Sequence, residues 1–146
     1  MKQALACLSL AAAVPAIADP PPLASAQGDL SVYAGKYPTE PVDGVSFLHH
    51  PRVRAAVEAA VPTAWIRTLI LDREAQQTPI ALRGGRLISW GCEPRNCNDH
   101  EWTILIDTAG TSVEICYRVG ERMGTRSRWF RTGGPPELRP VEGCPA

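Results

Sequence analysis

The chain has 146 residues and a mass of 15.8 kDa, enough for one domain and too little for a multidomain enzyme. Lys+Arg and Asp+Glu both number 15, so no net field gathers nucleic acid or an anionic membrane, and neither is an expected partner. At 45% hydrophobic and 21% charged, the composition is that of a globular chain and excludes a disordered one.

Met1-Lys2-Gln3 is a short positive region, Ala4 to Ala13 is an almost unbroken apolar run, and Ala16-Ile17-Ala18 has the small-x-small form of a cleavage site. Residues 1–18 therefore read as a secretory signal peptide, the apolar run being too short to span a bilayer. Cleavage after Ala18 removes Cys7 and leaves an exported protein with no membrane segment. The Pro/Ala/Ser stretch that follows is expected to be a flexible leader over residues 19–32, with a single domain from 33 to 146.

From Pro51 a helix is expected, because Val53, Val57 and Val61 recur every four residues while Arg52, Arg54 and Glu58 lie off that stripe. Pro62 ends it, and Trp65, Ile66, Leu69 and Ile70 mark a second helical face. His49-His50 reads as a surface pair where the first helix starts. Beyond Leu71 the period changes to two. Pro79–Leu82, Arg86–Trp90, Glu101–Asp107, Ser112–Val119 and Arg126–Arg131 are short segments rich in β-branched or aromatic residues. Arg83-Gly84-Gly85-Arg86 and Thr108-Ala109-Gly110-Thr111 supply hairpin turns, and short connections make sequential strands pair. The expected fold is α+β: a five-stranded antiparallel meander packed with N-terminal helices and ended by Gly133-Gly134-Pro135-Pro136. Val113, Ile115, Tyr117 and Val119 put one face of a strand in the core, while Leu105 gives the opposite face enough apolar character for a further helix, an α/β/α layering. Trp65, Trp90, Trp102 and Trp129 fall in periodic apolar segments and read as core.

Four cysteines, Cys92, Cys97, Cys116 and Cys144, remain in the exported chain and favour disulfides, with three connectivities open. A Cys92–Cys97 pair would close a small ring worth roughly 2 kcal/mol in chain entropy, and a Cys116–Cys144 pair roughly 3.5 kcal/mol. The first would shape a loop; the second would tie a Pro-rich tail to the sheet.

Signatures of catalysis are absent: no Gly-rich phosphate loop, no G-x-S-x-G elbow, no H-E-x-x-H pair, and so no expected cofactor. The concentration of polar chemistry is Gly91-Cys92-Glu93-Pro94-Arg95-Asn96-Cys97-Asn98-Asp99-His100-Glu101, which connects two strands. A ring across its base and Pro94 within it would hold it near one conformation, which lowers the entropy lost on binding another protein.

That loop, the following Asp99-His100 and the strand Trp102-Thr103-Ile104-Leu105-Ile106 resemble the inhibitor-of-vertebrate-lysozyme (Ivy) family. The resemblance runs back through Gly85-Arg86-Leu87-Ile88-Ser89-Trp90-Gly91 to Tyr33-Ala34-Gly35-Lys36-Tyr37-Pro38, and forward to about Trp129. It implies a periplasmic bacterial protein that inhibits c-type lysozyme by inserting the loop into the active-site cleft, with homodimers among some members. Glu93, Pro94, Arg95, Asn96, Asp99 and His100 would then form the lysozyme-binding loop. One departure stands out. Strongly inhibiting members carry a histidine after the loop proline, where this chain has Arg95, a permanent cation suited to bidentate bonds with a carboxylate pair. A second is the Pro-rich end, Pro135 to Ala146, where the family carries helix.

Other readings compete. The scaffold could serve a different peptidoglycan-cleaving enzyme, such as a lytic transglycosylase. Asp99, His100 and Glu101 could be a small catalytic cluster, or the domain a ligand-binding module with an apolar cavity. Cys92, Cys97, His100 and Cys116 could be drawn as a zinc site, and Cys92 with Cys97 as a redox pair, although an exporting compartment and the absence of C-x-x-C weigh against both.

Overall fold

The computed structural model describes residues 28–140 and 143–146. The expected signal peptide, Cys7 and the expected leader up to residue 27 lie outside the described residues. The folded chain starts earlier than the sequence suggests. A 3₁₀ turn at Leu30–Tyr33, capped by the Asp29 carboxylate accepting from Ser31 N at 2.8 Å, buries Leu30 and Tyr33. Leu30 N also donates to Thr108 O at 2.7 Å. The flexible leader expected as far as residue 32 is corrected accordingly: residues 30–32 lie in the 3₁₀ turn and Leu30 belongs to the core, while Val32 is exposed.

Helix α1, Pro51–Ala60, begins with proline at its first position, where no amide hydrogen is needed. His50 caps it, its Nδ1 accepting from Arg52 N at 3.3 Å. His50 is therefore a buried capping residue and not half of a surface pair, and burial, helped by nearby Arg52, pushes its pKa down. Val53, Val57 and Val61 are all fully buried, as their spacing requires. Helix α2, Ala64–Asp72, buries Ile66, Leu69, Ile70 and Leu71. Trp65 does not join them. It is 55% exposed, which corrects its assignment to the core; Trp102 and Trp129 are buried and Trp90 is half-buried.

The five expected strands are present as β4 (Ala81–Arg83), β5 (Arg86–Cys92), β6 (His100–Asp107), β7 (Val113–Val119) and β8 (Ser127–Arg131), paired antiparallel in sequence order. A two-stranded hairpin of β1 (Pro41–Val42) and β2 (Val45–Ser46) precedes α1. The sheet is wider than five. Among the described residues it has seven strands, with β3 (Gln76–Gln77) beside the end of β5 and β9 (Glu137–Arg139) beside β8. The two-proline segment thus interrupts the sheet without ending it. Gly84 and Gly85, both at positive φ, make the two-residue turn between β4 and β5.

One face of the sheet carries Leu87, Trp102, Ile104, Ile106, Val113, Ile115, Tyr117 and Phe130, packed with the helical residues into a single core. Each such side chain contributes roughly 2 kcal/mol by leaving water. Gly91 lies opposite Trp102, and a Cβ there would meet the indole at 3.0 Å, so its lack of a side chain makes room for the ring.

The opposite face corrects a second expectation. No further helix lies on it among the described residues; the extended tail does. Cys144 is bonded to Cys116, Thr103 Oγ1 donates to Pro145 O at 2.6 Å, and Arg83 Nη1 donates to Ala146 O at 3.2 Å. The same face holds an ion-pair chain of Arg86, Glu114, Arg139 and Glu137, with Arg139 lying 4.4 Å over the Trp129 ring. Burial opposes ionisation of Glu114, yet Arg86 and Arg139 hold its pKa below the ordinary value.

Candidate functional site

The segment Glu93–Asp99 joins β5 to β6, whose register pairs Cys92 with Glu101 at its base. Glu93 N donates to His100 O at 3.0 Å, closing the neck. Above it Asn96 N donates to Glu93 O at 2.9 Å, and both Asp99 N and His100 N donate to Asn96 O. In the resulting turn Pro94 holds the second position and Arg95 the third, at φ +66°, a backbone state usually given to Gly or Asn. A disulfide links Cys92 to Cys97 across the base.

Side chains brace this frame. The Glu93 carboxylate accepts from Asn96 Nδ2 at 3.0 Å and lies 3.0 Å from His100 Nδ1. A carboxylate can only accept, so Nδ1 carries the proton, and in the neutral ring Nε2 accepts from the Tyr117 hydroxyl at 3.1 Å. The Asn96 bond and then the His100 bond hold the Glu93 pKa below the usual 4.5, while burial pushes Tyr117 up to about 12. Asp99 turns into the fold: its backbone carbonyl accepts from Gly120 N, and Oδ1 accepts from Glu121 N at 2.7 Å, at the start of the short helix α3 (Gly120–Met123). Arg118, on the far face, donates through Nη1 to Asn98 O at 2.9 Å and through Nη2 to Gly124 O. It also lies 3.6 Å from Glu101, each side chain being only 10% exposed.

Of the six residues expected in the loop site, Glu93, Asn96 and His100 thus form one hydrogen-bonded group. Asp99 is spent on α3, and Pro94 and Arg95 are left at the tip with Arg95 exposed. The Asp99/His100/Glu101 cluster does not converge. His100 and Glu101 are neighbours on a strand and face opposite sides of the sheet, Glu101 accepting from Trp90 Nε1 at 3.0 Å. The zinc reading is corrected too: Cys92, Cys97 and Cys116 are all bound in disulfides, which leaves none of them as a thiolate ligand. Nothing in the sequence pointed to Tyr117 or Arg118 as supports of the loop, because their partners lie about twenty residues away along the chain. Trp65 had a local signal, since Ile66, Leu69 and Ile70 complete the buried stripe of α2 without it.

A family model described as inhibitor of vertebrate lysozyme (Ivy) matches residues 52–140, more than half of the chain, and takes in α1 from its second residue, α2, the meander and the whole loop. This chain belongs to the Ivy family. No curated protein and no solved structure matches it. Membership makes it one of a family of lysozyme inhibitors, and its two disulfides fit an Ivy protein that leaves the reducing cytoplasm. No described helix is long and apolar enough to cross a membrane. Within the Ivy frame, Arg95 occupies the tip where the resemblance leads one to expect histidine.

Proposed function

We propose that this protein is an exported, periplasmic inhibitor of c-type lysozyme that plugs the enzyme's glycan cleft with the Glu93–Asp99 loop and has no catalysis of its own. The observation that carries the reading is the division of labour within the loop. Glu93, Asn96 and His100 are bonded to the loop itself or to Tyr117, and the Arg95 guanidinium is exposed at a tip that a disulfide and five backbone bonds keep in shape. A pre-shaped loop loses little entropy on docking. Glycosidase clefts hold a pair of carboxyl groups, and a guanidinium can bridge such a pair through charge-assisted bonds. The opposing cost is desolvation of a permanent charge, which the bonds to both carboxylates must exceed. Export rests on residues 1–18 reading as a signal peptide, and the inhibitor domain is the single folded unit that follows it.

The test is titration of the chain from Asp19 onward into a c-type lysozyme cell-wall lysis assay, with Arg95→Ala and Arg95→His in parallel. Stoichiometric inhibition that Arg95→Ala abolishes is the expected result. Failure of the native protein to inhibit at micromolar excess would sink the lysozyme reading. A second reading is favoured by Arg95 itself: the same loop acts on another peptidoglycan-cleaving enzyme, such as a lytic transglycosylase, and c-type lysozyme is inhibited only after Arg95→His restores the shorter side chain.

A further inference from the structure

We infer that a second contact zone, centred on Trp65 and continuous with the loop, docks onto the carboxylate-bearing rim of the target enzyme's cleft; the inference rests on the inhibitor reading above and extends it from the loop to the face beside it. Trp65 stands at the first turn of α2, more than half exposed, as a ridge between two depressions. One, of about 270 Å³, is bounded by Trp65, Thr68, Arg73, Glu93 and His100, so it opens directly onto the loop. The other, of about 150 Å³, is bounded by Trp65, Tyr117, Met123, Arg122 and Arg128. A third runs between the end of α2 and the loop tip, lined by Leu69, Arg73, Glu93, Pro94 and Arg95.

The charges on this face are unbalanced. Arg73, Arg95, Arg122 and Arg128 make no ion pair with any described residue. Of the carboxylates lining the same depressions, Asp72 is committed to Arg54 at 2.8 Å, which leaves Glu74 and Glu93 against four arginines, since the Asn96 and His100 bonds to Glu93 do not cancel its charge. In a chain whose formal charge is zero, this face is a local excess of cations. Its complement is an acidic surface, which fixes the chemistry of the occupant: a protein cleft whose rim carries Asp and Glu beside an apolar recess for the indole. Trp and Arg are also the residues that dominate binding energy at protein interfaces. The indole is already ordered, meeting the Tyr117 ring edge-on at 5.8 Å, so little side-chain freedom remains to be lost on docking.

The experiment is biolayer interferometry of the mature protein on whichever of two enzymes it inhibits, a c-type lysozyme or a soluble lytic transglycosylase. The variants are Trp65→Ala and the double charge reversal Arg73→Glu/Arg122→Glu, with Arg95→Ala beside them. Trp65→Ala is expected to weaken binding by about tenfold or more. The double reversal lies on exposed side chains that folding does not need. It is expected to slow association by about tenfold at 50 mM salt, with the difference collapsing at 500 mM as the charges are screened. Loss of binding in Arg95→Ala, with the double reversal indistinguishable from native at both salt concentrations, would overturn this inference and leave the inhibitor reading standing. Absence of binding to either enzyme by the native protein would overturn both. Quenching of native fluorescence by chitotetraose alone, missing in Trp65→Phe, together with unchanged enzyme affinity in the double reversal, would assign the ridge to sugar and overturn the protein contact.

Discussion

Glu93 and His100 sit at the two ends of the loop and close it like a clasp, Oε2 of one 3.0 Å from Nδ1 of the other. The clasp matters for binding more than for folding, because the Glu93 side chain is partly open to water while His100 is anchored on Tyr117. Glu93→Ala is expected to weaken inhibition roughly three- to tenfold through added loop freedom, with the melting temperature unchanged. The acid dependence has a definite sign. The folded-state pKa of Glu93 is lowered, so the clasp is complete above the ordinary carboxylate value of 4.5 and is lost as pH falls through the lowered value. Inhibition by the native protein should therefore be flat from neutrality to pH 5 and decline only below 4.5. A decline centred near pH 6 would show that Glu93 is not the controlling group.

His50 governs a different window. Its pKa is lowered from 6.5, first by burial and then by Arg52, and its Nδ1 must be unprotonated to cap α1. Its contribution to stability is whole above pH 6.5 and is lost as pH falls below that value. Urea midpoints measured from pH 7.5 to 5.0 are expected to fall for the native protein and to fall less for His50→Asn, which can cap without titrating. Equal slopes would remove His50 from the account.

At the loop tip backbone and side chain make opposite demands. Arg95 occupies positive φ, which costs a side-chain-bearing residue about 1–2 kcal/mol that glycine avoids. Arg95→Gly is expected to leave stability unchanged or slightly raised in denaturant melts while abolishing inhibition. Arg95→Val should be destabilising, since branching at Cβ suits that conformation worst. A native-like inhibition constant for Arg95→Gly would place the binding energy elsewhere in the loop.

What the sequence conveys depends on how far each residue's partners lie along the chain. Val53, Val57 and Val61, the alternation through Val113, Ile115 and Tyr117, and the Gly84-Gly85 turn are local patterns, and all mark the elements they form. Strands β3 and β9 are two and three residues long, too short for a period, and β9 follows two prolines that read as a terminus. The loop is visible as a polar segment between strands, but not the work its residues do. Asp99 looks like a ligand until Glu121, 22 residues on, is found to occupy its carboxylate. The tail misleads for a related reason. Leu105 and its neighbours require a cover, and composition alone cannot tell a helix from an extended segment held by Cys116 and Thr103.

The two disulfides separate stability from function. The Cys92–Cys97 ring spans 5 residues and the Cys116–Cys144 link 28, so loss of the second costs the folded state more, roughly 3.5 against 2 kcal/mol in chain entropy. Cys116→Ala/Cys144→Ala should show the lower melting temperature and keep its inhibition at temperatures where it remains folded. Cys92→Ala/Cys97→Ala should melt higher than that variant and inhibit far less. Equal inhibition by the two would remove the ring from the binding mechanism.

Gly120 offers a test in which the usual rule reverses. Replacing glycine by alanine inside a helix ordinarily adds about 1 kcal/mol. Here a Cβ on the first residue of α3 would lie 2.5 Å from Asp99 Oδ1 and 3.0 Å from Arg118 Nη2. Neither group can step aside freely, because that Asp99 oxygen holds Glu121 N and that Arg118 nitrogen holds Gly124 O. Crowding of this kind costs about 1–3 kcal/mol, more than helix propensity returns. It would also loosen the grip of Arg118 on Asn98 O within the loop. Gly120→Ala is therefore expected to lower the melting temperature and to weaken inhibition together, though it stands outside the loop. A variant more stable than native would mean that Asp99 does not brace the loop from α3.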